Sequence, residues 1–145
     1  INVTGSDPDG NEVNGVMGVV SGVWATYGPS TPGAAGQPQL GGEGPLTALT
    51  PFSLSMEDGL PGGLSGLFLS GPSVPTPFKC GTLLASPPAV PPVFFNLDVQ
   101  GRVVIAGQWP AGLPADTELW FQIAIQDPDA VCGVALSNGL RAITP

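Results

Sequence analysis

Glycine or proline interrupts almost every ten-residue window of this chain. An α-helix of ordinary length therefore has nowhere to form, because proline removes an intrahelical donor and glycine costs about 1 kcal/mol per helical position. With 22 Gly and 18 Pro in 145 residues, the composition approaches that of disordered segments. Disorder, however, needs low hydrophobicity and high charge, whereas 42% of these residues are hydrophobic and only 10% charged. Collagen fails for want of a Gly-X-Y period. What remains is one compact domain of short strands joined by many tight turns.

Period-2 alternation supplies the strands. Leu119, Phe121, Ile123 and Ile125 alternate with Trp120, Gln122, Ala124 and Gln126. Val93, Phe95, Leu97 and Val99 alternate with Phe94, Asn96 and Asp98, and Phe52, Leu54 and Met56 with Ser53 and Ser55. Each pattern puts apolar side chains on one sheet face. Leu64–Ser70 and Lys79–Ala85 add further strand-like runs. Asn138-Gly139 separates Cys132–Leu136 from Arg141–Thr144, and predicts a type I′ hairpin, whose central residues need positive φ. Gln100-Gly101 predicts a second, weaker one. Gly28–Pro45 reads as a long loop or irregular edge. The fold class is all-β, an antiparallel sandwich of immunoglobulin-like or jelly-roll-like build with about 8–10 short strands.

Charge narrows the functions. Eleven acidic residues against three basic ones (Lys79, Arg102, Arg141) give a net charge of −8 without a basic patch, which excludes nucleic acid and anionic membrane as partners. The absence of histidine removes Ser-His and Cys-His nucleophile pairs and His-ligated metals. No run of 18 apolar residues occurs, so no membrane span is expected. Glu57/Asp58, Asp116/Glu118 and Asp127/Asp129 could in principle flank a glycosidic bond, but solvated turn charges account for them better. The chain reads as non-enzymatic.

Cys80 and Cys132, the only cysteines, suit one disulfide and an extracellular or cell-surface location. Starting at Ile1, the chain is expected to be a processed form or a fragment. Asn2-Val3-Thr4 is an acceptor sequon, meaningful only in a glycosylating host.

Residues 1–24 stand apart from 25–145 as an N-terminal extension. Asp7, Asp9, Asn11 and Glu12 set oxygens at a spacing that a Ca²⁺ loop uses. Glu12 occupies the position where an EF-hand requires Gly, and Gly18 the position where it requires Glu; an ordinary Asp/Asn/Gly turn explains the stretch equally well. No other cofactor is expected. Next comes an apolar, uncharged run containing Val13, Val16, Met17, Val19, Val20, Val23 and Trp24. Such a strand is a liability at a sheet edge. It belongs either in this chain's own sandwich or, by donor-strand exchange, in a neighbour's.

From about Ala25 onward the motif order resembles a recurrent C-terminal module of large secreted bacterial proteins. The resemblance rests on Pro38-Gln39-Leu40, Leu67-Phe68-Leu69-Ser70, Cys80-Gly81-Thr82-Leu83-Leu84 and Val99-Gln100-Gly101-Arg102. Pro110-Ala111-Gly112-Leu113, Trp120-Phe121-Gln122, Asp127-Pro128 and Ala135–Leu140 complete it. Cys132 and the Val13–Trp24 run depart from the pattern. The resemblance implies a secreted, non-catalytic β-sandwich and brings no catalytic residues.

Adjacent aromatics facing opposite ways leave Phe94 and Trp120 in the outer register of their strands. With Trp109 they form a candidate partner surface. The expected function is a structural subunit of an extracellular filament or surface assembly, self-associating through residues 1–24 by β-strand addition. The alternative is a carbohydrate- or Ca²⁺-dependent accessory module of a larger secreted protein.

Overall fold

The computed structural model describes residues 21–145 together with the backbone of two two-residue strands, Ser6–Asp7 (β1) and Asn11–Glu12 (β2), which pair with each other. The run from Val13 to Val20 and Asp9 lie outside the described residues. Along the chain follow β3 (Val23–Tyr27), β4 (Gln39–Glu43), β5 (Pro51–Glu57), β6 (Leu64–Ser70), β7 (Thr76–Phe78) and β8 (Gly81–Leu83). Then come β9 (Val93–Asn96), β10 (Val103–Gln108), β11 (Glu118–Gln126), β12 (Val134–Leu136) and β13 (Gly139–Ile143). Among the described residues there is no helix, in keeping with the glycine and proline spacing.

The strands form an all-antiparallel sandwich. One sheet runs β3-β13-β11-β6-β9, with β12 also on β11, and the other runs β10-β5-β4. Phe121, Ile123 and Ile125 face inward as the alternation predicts, as do Leu54 and Met56, and all five are buried. Leu40, Leu140 and Ala142 complete the layer between the sheets. Trp24 closes one flank. It packs against Trp109 and Phe121 at centroid distances of 6.3 and 6.2 Å, and its Nε1–H donates to the Gly44 carbonyl at 2.9 Å. The side-chain-free face of Gly42 receives the Trp24 ring, leaving no room for a Cβ.

Val23 and Trp24, read with the N-terminal extension, thus belong to this chain's own sheet. They pair with Ile143 and Ala142 of β13.

A third layer covers part of the large sheet's outer face. The β7–β8 hairpin lies there, tied by the Cys80–Cys132 disulfide, whose Cα atoms are 5.9 Å apart. Leu84, just after β8, packs over Gly139. Gln122 of β11 is 1% exposed and holds this layer down. Its Oε1 accepts the Leu84 N–H at 2.7 Å, and its Nε2 donates to the Ser137 carbonyl at 2.8 Å and to that of Thr82 at 3.2 Å.

Asn138-Gly139 is not a hairpin. β12 and β13 both pair antiparallel to β11, so the chain passes straight through. Between the pairs Ala124↔Leu136 and Phe121↔Leu140, residues 137–139 oppose residues 122–123. That extra residue makes a β-bulge. Neither Asn138 nor Gly139 has positive φ. The Ser137 hydroxyl stands in for a ladder carbonyl, accepting the Ile123 N–H at 3.0 Å, while Asn138 turns its amide toward β4. The positive-φ pair falls instead at Lys79 and Cys80, with φ of 48° and 66°, between Phe78 and Gly81.

Gln100-Gly101 does turn the chain, with Gly101 at φ 74°. The arms it joins enter different sheets, β9 pairing β6 and β10 pairing β5. β9 ends at Asn96, and Val99 sits at the exposed tip rather than in a strand.

Candidate functional site

The divergence of β9 and β10 leaves one flank of the sandwich unpaired. Each is the terminal strand of its sheet, and among the described residues neither carries a partner on its outer side. Such a row of free N–H and C=O groups invites another strand unless charge, proline or a bulge blunts it. β10, Val-Val-Ile-Ala-Gly-Gln, has no charged residue and no proline over six positions. Val103 and Ile105 pair with Met56 and Leu54 and point inward, yet both stay partly exposed at the core's margin. Val104 on the opposite face is 70% exposed. Of the other edges, β9 has four residues and follows Pro91-Pro92, β4 carries Gly41, Gly42 and Glu43, and β3 is uncharged like β10 but one residue shorter.

Phe94 extends this apolar flank onto the outer face, where it is 69% exposed. It overhangs Gly66 and borders a slot of about 150 Å³ lined by Leu64, Phe68, Phe78, Ala124 and Val134. Phe68 and Phe78 meet edge-on at 6.0 Å.

The two tryptophans do not join Phe94 at a surface. Trp109 is 2% exposed, wedged edge-on against Phe52 at 5.2 Å and Trp24 at 6.3 Å. Trp120 does face outward from β11, but it is 7% exposed. Tyr27 lies over it at 5.1 Å, Leu84 covers the neighbouring Gly139, and Glu118 accepts its Nε1–H. Arg141 stacks on Tyr27, 4.9 Å from the ring centroid. Local strand register assigned the outward face of Trp120 correctly, whereas the layer that covers it comes from distant sequence, and Trp109, just past β10, lies in the core instead of on the expected partner surface.

The carboxylates are likewise dispersed. Asp127 is 1% exposed rather than solvated; its Oδ2 accepts the Ala34 N–H at 2.8 Å and its Oδ1 that of Asp129 at 3.0 Å. Asp98 lies at the turn between β9 and β10. The backbone N–H groups of Arg102 and Gln100 donate to it and hold its carboxyl below the usual range. Asp7 and Asn11 are cross-strand partners in β1–β2, as are Ser6 and Glu12. Among the described residues no group of three or more His, Cys, Asp or Glu is arranged to hold a metal ion, and no helix is long and apolar enough to cross a membrane.

β10 escaped the alternation pattern because Gly107 and Ala106 dilute it. The signal present was Val103-Val104-Ile105, a β-branched run directly after a Gly turn. No family model, curated protein or solved structure matches the chain.

Proposed function

We propose that this protein is a non-enzymatic structural subunit of an extracellular assembly, joined to its neighbours by β-strand addition. The observation that carries the reading is the free, uncharged edge of β10 in a chain that also contains the uncharged apolar run from Val13 to Val20. Main-chain pairing supplies affinity in such contacts, and alternate side chains supply specificity. The exposed disulfide and the turn-dense fold suit a durable protein in an oxidising compartment. Burial of Trp109 and Trp120 weighs against the accessory-module alternative, since it leaves no exposed indole platform for a sugar.

Sedimentation velocity across a concentration series tests this. The intact chain is expected to form concentration-dependent oligomers. The full-length double variant Val16→Asp/Val19→Asp, which puts charge into the apolar run, is expected to remain a folded monomer with an unchanged melting temperature. An intact chain that stays monomeric at the highest attainable concentration overturns the proposal.

A further inference from the structure

The described fold also names the acceptor and the polarity of assembly, an inference resting on the strand-addition reading above. We infer that Val13–Val20 of one copy pairs with the free side of β10 in a second copy, giving a head-to-tail chain of subunits.

The tether carries the first half. Val20 lies three residues before Val23, the first residue of β3. Three extended residues reach about 10 Å. β3 and β13 pack against β4 across the sandwich, and β10 lies beyond β5 in the order β10-β5-β4. From β4 to the free side of β10 is three inter-strand steps, about 14 Å, and the layers stand about 10 Å apart. Val20 therefore cannot reach its own subunit's β10, so the whole stretch from Val13 to Val20 cannot pair along that strand in cis, whereas a neighbour's β10 is not so restricted.

Pattern carries the second half. The odd-numbered residues Val13, Gly15, Met17 and Val19 contain no polar side chain. Set beside β10, that face extends the layer in which Val103 and Ile105 are only partly covered. Methionine suits an irregular margin of this kind, because its unbranched side chain fills gaps. Neither segment carries charge, so pairing buries no ion. Donor and acceptor leave the subunit at opposite flanks, making the contact heterologous. Such contacts repeat into an open filament unless the rotation closes a ring.

A complementation experiment separates this inference from the reading beneath it. The donor-blocked full-length variant is Val16→Asp/Val19→Asp. The acceptor-blocked one carries proline in β10. Successive N–H groups point to opposite sides of a strand, so one of Val104→Pro and Ile105→Pro removes a donor from the free side alone. Circular dichroism and melting identify the one that keeps the fold. If neither does, Val104→Lys/Ala106→Lys replaces them. Each blocked variant alone should sediment as a monomer, and their equimolar mixture as a 1:1 heterodimer and nothing larger. An acceptor-blocked variant that polymerises like the intact chain overturns β10 as acceptor while leaving strand addition standing. Two monomeric variants that form no heterodimer overturn the donor–acceptor pairing. A donor-blocked variant that polymerises like the intact chain defeats the underlying reading as well.

Discussion

The side-chain amide of Asn138 grips the backbone of Leu40 with both of its polar atoms, its Oδ1 accepting the Leu40 N–H at 2.8 Å and its Nδ2 donating to the Leu40 carbonyl at 2.9 Å. A residue from the bulge in one sheet thereby completes the hydrogen bonding of a buried strand in the other. Asn138 and Leu40 are 4% and 2% exposed, so water cannot readily replace either bond.

Asn138→Ala should consequently destabilise the fold by about 2–6 kcal/mol, because a buried N–H and a buried C=O lose their partners at about 1–3 kcal/mol each. Urea unfolding measures it. Asn138→Gly provides the sharper contrast: in a type I′ hairpin it would be nearly neutral, whereas here it should cost as much as alanine.

Gln122→Leu keeps the side chain's approximate size but removes the partners of the Leu84 N–H and the Ser137 carbonyl. The third layer should loosen. Amide exchange at Leu84 is expected to accelerate, and stability to fall by about 2 kcal/mol or more. Unchanged exchange at Leu84 would place the anchoring of this layer elsewhere.

The Cys80–Cys132 crosslink spans 52 residues, a closure worth about 4 kcal/mol in the chain-entropy model. It also pins a hairpin whose Lys79 and Cys80 both hold positive φ. Reduction should lower the unfolding midpoint and red-shift tryptophan emission as cover over Trp120 loosens. Lys79→Gly, which accepts φ of 48° without steric conflict, should stabilise the oxidised protein by about 1 kcal/mol in thermal unfolding.

Asp98 sets an acid limit. Its carboxylate accepts N–H groups only when folded, so its pKa falls on folding. A depressed folded pKa gives stability that is complete above the unfolded value and is lost as pH falls through the folded one, below about pH 4. Asp98→Asn should flatten that acid-side decline in a pH series of thermal midpoints. An unchanged slope would assign the decline to other carboxylates.

Much of the sandwich was legible in sequence because its signals are local. The alternation of Phe121, Ile123 and Ile125 marks one sheet's inner face and that of Leu54 and Met56 the other's, and all five are buried. Gly28–Pro45 proved half right: it is irregular up to Pro38 and then forms β4. Where distant residues decide, the signals misled. Asn138-Gly139 carries a strong hairpin signal, but pairing with β11 on one side and Leu40 on the other outweighs turn propensity. Lys79-Cys80 carries none, yet makes the tight turn because its flanking strands pair and its cysteine is crosslinked. Trp120 stands in the outward register that the alternation assigns, and only Tyr27 and the chain segment around Leu84, both distant in sequence, reveal that it is covered. The unpaired flank emerges only from sheet order, because a free edge is a property of neighbours rather than of the strand itself.

Strand addition at β10 is tested most directly by amide hydrogen exchange at those N–H groups of residues 103–108 that face away from β5, followed as protein concentration rises. Pairing with a second copy predicts slow exchange that grows with concentration in the intact chain and vanishes in Val16→Asp/Val19→Asp. Exchange that is fast, equal in the two proteins and independent of concentration would contradict it.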